Sequence, residues 1–171
     1  MKTLILTILL SLTPNAFAET NSVYTDLKAD CIVVSQATDE APIDFFTSEC
    51  KAYGGYTLKE SGGDLRYGPE LIFNGKEINL QRPLSFHQLA SRKIEWAYDL
   101  TRDNEGSGTI NFKALIYRIS EDTDHKGKSA TFLHVIRLKG EDSCLIGKVK
   151  TNQQARDLAN NTDAECIELE F

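Results

Sequence analysis

Between Lys93 and Lys150 the chain alternates apolar and polar residues in four successive runs, and this pattern restricts the fold more than any other feature. Ile94, Trp96, Tyr98 and Leu100 alternate with Lys93, Glu95, Ala97 and Asp99, a period of two that gives a strand one apolar and one mostly polar face. A polar turn over residues 102–108 leads into a strand over 109–119, and a loop over 120–128 into a strand over 129–139. Gly140, Glu141 and Asp142 then turn the chain into a strand over 144–150. Successive strands joined by polar turns build an antiparallel meander, with Ile94 and Trp96 on its core side. Thr151 or Asn152 caps a short helix over 153–159, in which Ala155, Leu158 and Ala159 fall at helical spacing.

The first half is written in shorter segments. Residues 19–22 read as a mobile lead-in. The β-branched run Ile32, Val33 and Val34 after Cys31 predicts a buried strand over 30–35, and residues 43–50 predict a second. Gly54 and Gly55 turn into a strand over 56–60, where Tyr56 and Leu58 alternate with polar residues. Ser61, Gly62, Gly63 and Asp64 carry a hairpin-turn signal, with residues 65–67 as the returning strand. Residues 71–73 and 77–80, on either side of Asn74 and Gly75, predict another short hairpin. The fold expected is mainly β, an antiparallel sandwich, barrel or curved sheet with a short C-terminal helix. No repeat or linker divides residues 30–171, so residues 19–171 read as a single β-rich domain, long enough to bury most of its apolar surface.

Residues 1–18 are organised as a secretory signal. Lys2 supplies the positive start, residues 4–12 the apolar stretch, and Ala16, Phe17 and Ala18 the small-x-small cleavage site. That stretch is shorter than the ~20 residues that cross a bilayer, so the mature protein, starting at Glu19, is expected to have no transmembrane segment. A periplasmic or secreted location follows. All four cysteines, Cys31, Cys50, Cys144 and Cys166, lie in the mature part. An even count in an exported chain predicts two disulfides, with three possible pairings. The spacing favours Cys31–Cys50 and Cys144–Cys166, each closing a loop worth about 3 kcal/mol by the chain-entropy argument. No C-x-x-C occurs and the histidines lie elsewhere, which argues against a zinc site or a redox catalyst.

The chain carries 25 acidic against 19 basic side chains, a net charge of -6 that becomes -7 once Lys2 leaves with the signal. Nucleic-acid binding needs the opposite excess. G-x-S-x-G, H-E-x-x-H and Gly-rich phosphate loops do not occur, so no catalytic residue is assigned and neither a metal nor a cofactor is expected. His134 shares a strand face with Phe132, Ile136 and Leu138 and reads as a core histidine with a hydrogen-bonded ring. His87 lies in a connector and His125 in a polar loop. The acidic run from Glu121 to Gly127 comes nearest to a calcium loop, but Lys126 and Leu133 stand where ligands are required. It reads as a solvated hairpin loop.

Residues 59–68 form the most unusual surface stretch. Flexible glycine backbone is joined there to a carboxylate, a guanidinium and a phenol. Tyr and Arg are enriched where interfaces concentrate their binding energy, which makes Ser61, Asp64, Arg66 and Tyr67 the candidate binding residues. The plainer reading is a hairpin turn in which Asp64 bonds local amides.

Ser22-Val23-Tyr24-Thr25-Asp26-Leu27, Cys31 and Cys50, Gly54-Gly55-Tyr56, Gly63-Asp64-Leu65-Arg66, Lys93-Ile94-Glu95-Trp96 and the closing cysteine pair follow in this order. The set resembles a family of uncharacterised exported bacterial proteins. The resemblance spans most of the mature chain and implies export from a bacterium, with no catalytic residues carried over. Together these readings point to a non-catalytic periplasmic or secreted binding module whose partner is a protein or an envelope component. One alternative is an inhibitor of a cationic, lysozyme-like cell-wall hydrolase, since opposite charge speeds encounter. Another is an envelope-saccharide enzyme working through paired carboxylates.

Overall fold

Trp96 and Ile94 are both fully buried, on the face that the alternation around them assigns to the core. They belong to a computed structural model that describes residues 21–38, 41–102, 107–123 and 128–168. The signal at residues 1–18, His125 and Lys126 lie outside the described residues. Eleven strands are described: β1 (Asn21–Asp26), β2 (Cys31–Thr38), β3 (Ala41–Cys50), β4 (Tyr56–Gly63), β5 (Arg66–Phe73), β6 (Lys76–Ile78), β7 (His87–Leu89), β8 (Lys93–Arg102), β9 (Gly108–Asp122), β10 (Ser129–Arg137) and β11 (Cys144–Val149). One helix, α1 (Asn152–Asn160), follows them.

Hydrogen bonding orders the strands β1-β8-β9-β7-β5-β4-β3-β2, with β10 on β9, β11 on β10 and β6 on β5. The sheet curls into a half-barrel. Its ladders are antiparallel, apart from the single parallel bridge between Arg66 and His87. Two antiparallel units therefore meet at β7: the meander β2–β6, and the group β1, β8, β9, β10 and β11. β9 is 15 residues long because it serves several neighbours. Gly108–Ile116 pair with β8, Ala114–Asp122 with β10, and Ile119–Glu121 with β7.

The curl encloses the main core, to which one unit gives Leu58, Leu71 and Ile78 and the other Ile94, Trp96, Leu115, Tyr117 and Ile136. Tyr53, Tyr56 and Phe112 surround the Trp96 ring at centroid distances of 5.6, 6.4 and 6.3 Å. A second cluster, with Ala97, Ala114, Leu133, Val135, Ile146 and Ala155, lies on the opposite face under α1. Thr151 caps that helix. Its hydroxyl accepts from Gln154 N at 3.2 Å, and Gln154 Oε1 accepts from Thr151 N at 3.1 Å, a reciprocal cap that satisfies two free amides. Leu158 packs onto Gly147, where a Cβ would come within 2.2 Å of its Cδ2. Arg156 Nε donates to the buried Glu95 at 3.0 Å, fixing the helix to β8, and the pair holds the guanidinium above its ordinary pKa.

Both local disulfides are formed, Cys31–Cys50 across the β2–β3 ladder and Cys144–Cys166 from β11 to the tail. They fit an oxidising compartment. Among the described residues no helix is long and apolar enough to cross a membrane.

Four expectations are corrected. Asn21 and Ser22 belong to no lead-in; they open β1, which pairs along its whole length with β8. The run at Ile32–Val34 is a strand but is not buried: the three side chains are 75%, 55% and 56% exposed. β2 pairs only with β3 at the end of the sheet, so β-branching satisfies the extended backbone without any burial. The hairpin turn lies at Asp64 and Leu65, with Gly62 and Gly63 still inside β4. Those glycines serve close approach: a Cβ on Gly62 would lie 1.9 Å from Tyr67 Cδ1, and one on Gly63 would lie 2.6 Å from Asp44 O. Finally, Ser120–Asp122 continue β9 rather than beginning a loop, because β10 and β7 both pair with them.

Candidate functional site

The β4–β5 hairpin closes with Asp64 at φ 50° and Leu65 at φ 59°, the left-handed pair of a tight two-residue turn that asparagine and glycine fit best. For leucine this conformation costs roughly 1–2 kcal/mol, yet Leu65 is 57% exposed and buries little in return. Arg66 clamps the hairpin to the connector before β7. Its Nε donates to Leu84 O at 3.0 Å, its Nη1 pairs with Asp64 Oδ2, and its guanidinium lies 5.2 Å from the Phe86 ring centroid. The chain beyond is held by His87 N donating to Leu65 O at 3.1 Å and Asp122 N donating to Phe86 O at 2.9 Å.

Tyr67 takes the opposite strand face. Its ring lies over Gly62 and stacks on Phe46 at 5.8 Å, and its hydroxyl donates to Asp44 Oδ2 at 3.0 Å. That hydrogen bond holds the phenol above its ordinary pKa, since ionising it would set two anions together. Ser61 points elsewhere: it donates to Glu70 Oε1, which Arg82 approaches at 3.9 Å. Of the four sequence candidates, Asp64, Arg66 and Tyr67 gather at the hairpin end, and Ser61 belongs to a polar group farther along the strand face that carries Arg66.

Beside the hairpin is a cleft of about 280 Å³, lined by Leu65, Tyr67, Phe86, His87, Gln88, Ser120, Glu121, Asp122 and Ser129. His87 is 5% exposed and its Nδ1 lies 2.8 Å from Ser85 O. A carbonyl only accepts, so Nδ1 carries the proton. Burial pushes the pKa of this imidazole down, with Arg82 and Arg66 acting in the same sense and Ser85 and Glu121 against it.

Glu121 connects the cleft to a buried polar row. Tyr117, His134 and Lys148 stand opposite one another across β9, β10 and β11. His134 Nε2 lies 3.0 Å from Glu121 Oε1, and Tyr117 Oη lies 3.2 Å from His134 Nδ1. The carboxylate accepts, so His134 donates from Nε2, and its Nδ1 shares a second hydrogen bond with the Tyr117 hydroxyl. Tyr117 keeps its proton because complete burial pushes its pKa well above the ordinary range. Lys148 pairs with the other Glu121 oxygen and lies 4.3 Å from the Phe132 ring centroid. Burial alone would raise the Glu121 carboxyl; the hydrogen bonds and charges of His134 and Lys148 outweigh it and hold the pKa below the usual value. His134 is thus the core histidine its strand face suggests. Both oxygens of Glu121 are engaged, so the row braces the wall of the cleft instead of offering it a free base.

The cleft presents apolar and aromatic side chains at its rim and polar groups at Gln88 and Ser120. Phe86, Leu84 and Asp44 were missed in the sequence, although two large apolar residues in a short connector after Pro83 are a readable signal. Among the described residues no group of three or more His, Cys, Asp or Glu side chains is placed to hold a metal ion. Comparison of the chain with protein-family models, curated proteins and solved structures gives no match.

Proposed function

We propose that the protein is a periplasmic or secreted binding module that grips a protein partner, without catalysis, at the hairpin end of the half-barrel. One observation carries this reading: the exposed leucine at position 65, held in a backbone conformation that glycine or asparagine would adopt at lower cost. Strained positions of this kind cluster at functional sites, ligand clamps among them. Leu84 and Phe86, 68% and 44% exposed, extend the apolar rim, and Tyr67 and Arg66 add the residue types that dominate interface energetics. The net charge of -6 supports a cationic partner, which keeps an inhibitor of a cationic wall hydrolase as the sharper form of the same reading.

The test is capture by the immobilised oxidised protein from periplasmic extract and from a solution of a cationic lysozyme, with Leu65→Gly and Phe86→Ala alongside. A stoichiometric protein released by salt, and held at least tenfold less by both variants, supports the reading; tenfold is about 1.4 kcal/mol. Retention equal in both variants, or no retained protein, overturns it. Leu65→Gly is expected to fold at least as well as the parent, so lost capture in it cannot be ascribed to unfolding.

A further inference from the structure

A second cleft, of about 460 Å³, shares no lining residue with the hairpin cleft and is lined by Leu27, Lys28, Glu60, Leu89, Ala90, Ser91 and Arg92. Glu60 reaches it from the inner face of β4. Tyr56, Leu58 and Glu60 alternate onto one side of that strand, and Leu58 is fully buried in the core. The next inward position thus carries a carboxylate where the pattern calls for an apolar side chain. Glu60 has no hydrogen-bond or ion-pair partner among the described residues, and burial alone raises its pKa. An inward carboxylate without a partner is costly unless something else supplies one.

Lys28 stands across the same cleft, in the turn that joins β1 to β2. Its backbone N–H donates to Asp26 Oδ1 at 3.0 Å, and its ammonium has no carboxylate within 4.0 Å among the described residues. Arg92 is already engaged, 3.0 Å from Asp26 Oδ1. The cleft therefore presents one unmatched acid and one unmatched base, with the apolar side chains of Leu27, Leu89 and Ala90 along the wall. The two charges do not neutralise each other. Their complement is a molecule that carries both signs on a short apolar body. A cleft of this volume falls in the range of roughly 300–1,000 Å³ that holds small ligands.

We propose that this cleft binds a small zwitterion, an apolar amino acid or short peptide, with its ammonium group on Glu60 and its carboxylate on Lys28. The site is independent of the hairpin end and of any partner gripped there.

Titrating the oxidised full-length mature protein with leucine and with leucyl-leucine, followed by amide NMR shifts and calorimetry, tests it. Saturable binding of either compound is expected, with shifts at Glu60, Leu89 and Ser91, and the two arms separate a free amino acid from a peptide. N-acetylation and C-amidation of the better ligand are each expected to weaken it at least tenfold. Glu60→Gln should weaken the unblocked ligand tenfold and leave the N-acetylated form unaffected; Lys28→Gln should do the reverse, sparing only the C-amide. Lys28 is exposed, so its variant keeps the fold even if Glu60→Gln does not. Absence of saturation by both compounds at millimolar concentration, or equal affinity for blocked and unblocked forms, overturns the proposal. Leu65→Gly is expected to bind these compounds normally, which separates failure here from failure at the hairpin.

Discussion

Trp96 Nε1 donates to Thr25 Oγ1 at 3.0 Å, and Thr25 Oγ1 donates in turn to Lys51 O at 2.7 Å. This short relay ties β8 to β1 and then to the chain leaving β3, although β1 and β3 stand near opposite ends of the hydrogen-bonded order. Thr25 and Trp96 are both fully buried. Thr25→Val keeps the volume and strands both the indole N–H and the Lys51 carbonyl, so a loss of about 1–3 kcal/mol is expected. Urea unfolding followed by Trp96 emission measures it, with Thr25→Ser as the variant that keeps the relay. A valine variant within 0.5 kcal/mol of the parent, about the scatter of a surface substitution, refutes the role given to the relay.

Gly62 and Tyr67 should be energetically coupled. Gly62→Ala drives a methyl into the Tyr67 ring and is expected to cost about 1–3 kcal/mol, the usual range for overpacking. In a Tyr67→Ala background the same change should cost little, because the space is then vacant. A double-mutant cycle reads the difference; additive costs would show that the ring does not rest on the glycine.

His87 makes stability depend on pH in mildly acidic solution. Burial lowers its pKa from the ordinary value of 6.5 in the folded protein, so below 6.5 the unfolded chain binds the extra proton first and stability falls as pH drops through that window. His87→Gln should flatten the slope between pH 7 and the acid limb, whatever it does to the absolute level. An unchanged slope in chemical-denaturation curves would remove His87 as the cause.

Glu121 acts at lower pH. Its pKa is held below 4.5 in the folded state, so its contribution is complete above 4.5 and is lost as pH falls through the folded value. Glu121→Gln leaves His134 and Lys148 without their anion. With Lys148 25% exposed, the expected loss at neutral pH is on the order of 2 kcal/mol, less than for a sealed ion pair. The variant should also show a shallower acid limb, measurable by circular dichroism across an acid titration.

The second half of the fold was legible because each strand between Lys93 and Lys150 carries its own period-two pattern, and Trp96 and His134 could be placed from it. Spacing favoured Cys31–Cys50 and Cys144–Cys166 among three possible pairings, and these are the bonds formed. The exposure of Ile32–Val34 was not legible, because an end strand and a central strand use the same β-branched residues; only the neighbours distinguish them. The hairpin was misplaced because Gly62 and Gly63 signal a turn locally, whereas their use is to admit the Tyr67 ring and the backbone of Asp44, contacts that come from adjacent strands. Asp64, Arg66 and Tyr67 stood out as residue types. Phe86, His87 and Glu121 join them only through the β5–β7 and β7–β9 pairings, which no local pattern records.

β9 is paired by three strands, β7, β8 and β10, and gives side chains to both apolar clusters, which constrains errors as well as structure. Sliding a strand by one residue exchanges its two faces. For β9 that exchange would turn Leu115, Tyr117 and Ile119 out of the main core and Ala114 and Ile116 away from α1 in the same step. It would also break the bonds to β7, β8 and β10 together. A misaligned β9 thus has no partial refuge in which one cluster is packed correctly and the other is not, so the alignment of this single strand is checked twice before either cluster can close.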